Sequence, residues 1–99
     1  MDTADKLEVL RETFSDKIEL EGILGKLLET ALSRNRLRLQ RYEQDLRGYE
    51  KRFGMDSESF YRRFESGELG DAMDFFEWSG VYEMRKDLLQ KIRRIEATL

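Results

Sequence analysis

The residue types that most often carry chemistry are the ones this chain lacks. It has no histidine and no cysteine, which removes the commonest general base, the thiolate nucleophile and the commonest ligands of transition metals. Six serines and 21 carboxylates remain. No base accompanies a serine nucleophile, however, and nothing in the pattern predicts a concave pocket. The chain is expected not to be an enzyme and to need no cofactor. Glu68, Asp71, Asp74 and Glu77 supply the oxygen ligands that Mg²⁺ or Ca²⁺ prefers. They lack the spacing and central glycine of a calcium loop, and carboxylates at a helix start are already favoured by the helix dipole. No metal site is expected.

Two other groups could bind a macromolecule. Arg34, Arg38 and Arg41 fall on one helical face with Arg36 beside them, and with Arg93 and Arg94 they could grip phosphates. No helix-turn-helix, ribbon or RNA-binding signature accompanies them, and aromatics for base stacking are missing from this basic end. A solvated face, an acidic protein partner and nucleic acid all stay open, nucleic acid ranking last. In Phe75-Phe76-Glu77-Trp78, Phe75 and Trp78 share a face and suit a core, while Phe76 points elsewhere. Phe76 and Trp78 also suit an interface, because such rings dominate binding hot spots. The candidate partner-binding residues are therefore Phe76, Trp78, Arg34, Arg38, Arg93 and Arg94.

The elements that would hold these residues are helices. The chain has 99 residues, enough for one domain, with no proline and 39% charged side chains, a composition of good helix formers. Leu28, Leu32, Asn35, Leu39, Tyr42, Leu46, Tyr49 and Phe53 alternate steps of four and three, a heptad seam broken by Asn35. Asn35 either pairs with its own copy across a two-fold axis or lies at the surface. The seam predicts a long helix over 17–53, about 55 Å in length, ended by Gly54 as a left-handed cap. Asp56 caps a short helix over 57–66, with Met55 and Phe60 as a staple across it. Gly67 and Gly70 bracket a turn, and Asp71 caps a last helix over 72–97 with Trp78, Val81, Leu88, Ile92, Ile95 and Leu99 on one stripe that Arg85 interrupts. Leu7, Leu10 and Phe14 suit a short helix within 1–16, with Ser15 as cap for the next. The alternation in Lys17-Ile18-Glu19-Leu20-Glu21 would also suit a strand entry.

The resulting fold class is all-α: a long antiparallel helical hairpin, with a short helix at its turn, forming one domain over 1–99. Charge supports the pairing. Residues 1–25 hold three basic and seven acidic side chains, 26–53 eight and four, 54–84 two and eight, 85–99 five and two. With Phe53 opposite Ala72, the acidic start of the last helix lies beside Arg41, Arg47, Lys51 and Arg52. The same register sets Arg85, Lys86, Lys91, Arg93 and Arg94 level with Arg34, Arg36 and Arg38, where like meets like. Ten of the eleven aromatics lie between Tyr42 and Tyr82 and should anchor the closed end under Phe60 and Phe64. The open end is narrow and aliphatic, so a homodimer or higher oligomer, closing a helical bundle, is expected. No apolar run approaches the roughly 20 residues that span a bilayer, and the acidic start lacks the build of a signal peptide. Absence of cysteine fits a reducing compartment; a cytoplasmic protein without membrane association is expected.

From Tyr49-Glu50-Lys51-Arg52-Phe53-Gly54-Met55 through Gly67-Glu68-Leu69-Gly70-Asp71 to Asp74-Phe75-Phe76-Glu77-Trp78, the chain resembles a group of small prokaryotic helical proteins. These largely uncharacterised proteins share a YEKxFGM…GELGD…DFFEW pattern, and some look like the antitoxin halves of toxin–antitoxin pairs. The likeness covers about residues 42–97 and no part of residues 1–30. It implies a non-catalytic protein that neutralises a small partner, expected from a neighbouring gene. The matching glycines and rings are turn and packing positions, a signature of fold and not of an active site.

Overall fold

A computed structural model describes residues 2–99, and only Met1, at the start of the expected N-terminal segment, lies outside the described residues. The described chain is all-helical, with α1 at Thr3–Thr13, α2 at Lys17–Phe53, α3 at Ser57–Glu65 and α4 at Met73–Thr98. Each helix starts for a local reason. Asp2 accepts the Asp5 N–H at 2.9 Å and the Asp5 carboxylate accepts the Asp2 N–H at 3.4 Å, a reciprocal cap on α1. Residues 17–21 are helical, so the strand alternative falls, and the cap of α2 is Asp16, not Ser15. Its carboxylate accepts the Ile18 N–H at 2.9 Å, a bond to the second helical N–H that satisfies a donor left free by the helix start. The α2 helix stops at Gly54, whose φ of 68° is left-handed and whose N–H donates to the Glu50 carbonyl at 2.8 Å.

The last helix departs from expectation. Ala72, not Asp71, occupies the capping position, and no side chain bonds there. Gly70 at φ 77° turns the chain so that the Ala72 carbonyl accepts Phe75 and Phe76 N–H at 3.0 and 3.2 Å. Asp74 in the first turn supplies the negative charge that the dipole favours.

Helices α2 and α4 lie side by side and antiparallel. Arg52 reaches Asp74 at 2.9 Å near one end, Arg85 reaches Glu43 at 3.6 Å midway, and Arg36 reaches Glu96 at 3.3 Å near the other. The seam holds two cores. Leu32, Leu88 and Ile92 form an aliphatic one, with Leu39, Tyr42 and Ile95 packed against it. Leu46, Phe60 and Trp78 form an aromatic one, with Tyr49, Phe53, Phe64 and Phe75 around it. Phe60 does more than roof this cluster: its ring stacks on Trp78 at a centroid distance of 3.7 Å, and both are wholly enclosed. Tyr49 and Phe53 stack on the same indole at 5.6 Å each. Such ring pairs contribute about 0.5–1.5 kcal/mol apiece beyond the area they bury.

The molecule measures 57 × 24 × 18 Å. Its long dimension is about that of α2 alone, so α1 does not prolong the rod; the chain turns aside between Phe14 and Asp16. No residue of α1 is buried.

Candidate functional site

The six candidate residues do not converge. Trp78 is fully enclosed, and its indole N–H donates to the Ser57 hydroxyl at 3.0 Å. It is a core residue with no face left for a partner, which removes it as a surface anchor. Phe76 is 53% exposed and meets Phe64 edge-on at 5.3 Å. Arg34, Arg38, Arg93 and Arg94 are all exposed, and none forms an ion pair among the described residues. Arg94 and Lys91 line a groove of about 290 Å³ with Leu28, Asn35, Ile95 and Thr98. Arg93 does not, because neighbours on a helix point about 100° apart. Asn35 stands half-buried in that groove.

The expected stretch of facing like charges is also corrected. Arg85 turns to Glu43 and Arg36 to Glu96, so carboxylates interleave where only cations were expected to be level. Residues level along two helices need not point at each other.

Polar groups elsewhere serve the fold. A cleft of about 510 Å³ between α2, α3 and α4 is lined by Glu43, Glu50, Asp56, Ser57 and Arg85 among others. The Ser57 N–H donates to the Glu50 carboxylate at 2.8 Å, Asp56 accepts the Ser59 N–H at 2.8 Å, and Glu43 holds Arg85. Those carboxylates cap α3 and neutralise an arginine. Glu68, Asp74 and Glu77 are engaged separately by Arg63, Arg52 and the Tyr49 hydroxyl. Among the described residues no three His, Cys, Asp or Glu side chains gather as a metal site would need.

The perturbed titrations have structural causes. The Tyr61 hydroxyl donates to Glu83 at 2.6 Å, and this bond, with burial, pushes its pKa up to about 12. Burial first, then the Glu77 carboxylate, raises Tyr49. The backbone N–H of Ser59, then its hydroxyl, holds Asp56 below the usual carboxylate value. None of these shifts prepares a base for neutral pH.

The expected aliphatic open end carries an exposed apolar surface, none of whose residues stood among the six candidates. Among the described residues eleven large apolar side chains are exposed, and seven of them, Leu7, Val9, Leu10, Ile18, Leu24, Leu27 and Leu99, belong to α1, the start of α2 or the chain end. Scattered exposed leucines are ordinary; a concentration marks an interface. Its cause is a mismatch of length. Helix α2 has 37 residues and α4 has 26, and α2 ends level with the start of α4 at the closed end, so the first turns of α2 run past the last turn of α4. The long seam and the shorter last stripe were the available signal.

No protein-family model, curated protein or solved structure matches the chain. Among the described residues no helix is long and apolar enough to cross a membrane.

Proposed function

We propose that this chain is a non-catalytic protein-binding module that works in the cytoplasm and binds through the open half of its hairpin. One observation carries this reading: Leu7, Leu10, Ile18, Leu24 and Leu27, along α1 and the first turns of α2, are 39–82% exposed. Burying such side chains yields about 1.5–3 kcal/mol each, so a partner that covers them gains more than rim charges would supply. The resemblance over residues 42–97 adds the kind of partner, a small protein that an antitoxin-like chain neutralises. Nucleic acid is the weaker alternative, because the rings at the closed end are stacked on one another and Arg93 points away from the groove that holds Arg94.

Co-expression of the chain with the products of adjacent genes tests the reading. A stable complex is expected, and it should be lost when Leu7, Leu10 and Ile18 are all changed to serine. Absence of any complex, or a complex indifferent to that triple change, would overturn it.

A further inference from the structure

The uncovered surface has a second property beyond its apolarity. Along the rod the charge runs negative, positive, negative. The tip, residues 2–25, holds seven acidic and three basic side chains. The middle, residues 26–44 with 85–99, holds ten basic and four acidic ones, and the closed end between them is acidic again.

Within this pattern two rows match in spacing. On α1, Asp5, Glu8 and Glu12 advance by three and then four residues, on the face away from Leu7 and Leu10. On α2, Arg41, Arg38 and Arg34, taken backwards, retreat by three and then four. Each row spans about 10.5 Å, and the match holds only when the two helices run antiparallel. The three arginines are exposed, and among the described residues none of them meets a carboxylate in its own chain.

The chain's own α1 cannot supply that carboxylate row. It is about 16 Å long and is hinged at Phe14–Asp16, whereas Arg34 stands about 26 Å along α2 from Lys17. A second molecule has no such limit.

We infer that two copies of this chain associate through their open halves, antiparallel and offset, so that the acidic tip of each lies on the basic middle of the other. This deepens the reading of the open half as a protein-binding surface and rests on it. The arrangement is two-fold and isologous, since tip meets middle twice. Full overlap would set middle against middle, like on like, so charge selects the offset. Leu27 shares the arginine face of α2 and adds apolar surface to the contact, whereas Leu7 and Leu10, on the far face of α1, stay outside it.

Sedimentation velocity on the full chain provides the test, with two charge-reversed variants, Glu8→Arg with Glu12→Arg and Arg34→Glu with Arg38→Glu. All four positions are exposed, so helicity and melting of the monomer should not change. The parent chain is expected to be a dimer that loosens with salt. Each variant alone should dissociate at least tenfold more readily. Their equimolar mixture should recover the parent affinity as a heterodimer, because tip and middle are then opposite in sign at both contacts. A monomeric parent, a dimer insensitive to both reversals, or a mixture that fails to recover would overturn the inference. A monomeric chain that still forms the Leu7-, Leu10- and Ile18-dependent complex with a neighbouring gene product would end this inference and leave the binding-module reading standing.

Discussion

Replacing Ser57 with alanine isolates the one polar contact inside the aromatic core. Trp78 is wholly enclosed and Ser57 is 5% exposed, and the indole N–H has the Ser57 hydroxyl as its partner at 3.0 Å. Alanine deletes the acceptor and leaves a buried donor that neither protein nor solvent can satisfy, which costs about 1–3 kcal/mol. The backbone bond from residue 57 to Glu50 survives the change, so the penalty belongs to the indole. A domain of this size has about 5–15 kcal/mol in total, and each kcal/mol moves the melting temperature by roughly 4–8 °C. The Ser57→Ala protein should therefore melt about 5–20 °C lower. Trp78→Phe provides the control, because it removes the donor as well. In that background Ser57→Ala should cost less than about 0.5 kcal/mol, and the difference between the two backgrounds is the coupling energy. Urea unfolding followed by far-ultraviolet circular dichroism measures all four proteins, including those that lack the single tryptophan. Equal costs for Ser57→Ala in the two backgrounds would refute the reasoning.

The two phenylalanines that flank the core should separate cleanly. Phe60→Ala, at a fully enclosed ring, is expected to cost about 3–5 kcal/mol in the same unfolding assay, whereas Phe76→Ala, at a ring 53% exposed, should cost less than about 1 kcal/mol. At Gly54 a methyl group would meet no atom within 4 Å, so Gly54→Ala is charged only for the left-handed φ of 68°, about 1–2 kcal/mol of unfolding free energy, read from a lower denaturant midpoint at unchanged slope. Alkali should expose the Tyr61–Glu83 bond. Because the folded Tyr61 pKa is raised to about 12, its contribution is complete below about pH 10, where tyrosine stays protonated even in the unfolded chain. That contribution is lost as pH climbs towards 12, and Tyr61→Phe should flatten this alkaline limb of the stability profile.

Local chemistry written in consecutive residues was legible from the start. The alternation of fours and threes from Leu28 to Phe53 yields α2, and Gly54 ends it, because only a residue without Cβ adopts the left-handed cap at no cost. Asp56 with its staple, Met55 and Phe60, marks α3 in the same way. Where a choice depends on a residue or two of offset, as between Ser15 and Asp16 or between Asp71 and Ala72, types alone do not decide. Several neighbours can accept the first free N–H, and the turn that precedes the helix selects among them.

Other features exist only once the helices have met. The sequence places Arg85 near other cations, and the packed pair turns it to Glu43. It marks Trp78 as a ring that would serve either a core or an interface, and only the stack of Tyr49, Phe53 and Phe60 encloses it, with Ser57 as an acceptor contributed by a different helix. It sets Arg93 beside Arg94, and the packed helices leave only Arg94 on the groove with Asn35. The uncovered tip follows from lengths, since α4 is too short to reach the first turns of α2. Periodicity and caps act within a few residues, so one chain segment suffices to specify them. Burial, ion-pair choice and exposure depend on distances between segments far apart in the chain, and those are set when α2, α3 and α4 close on a shared core.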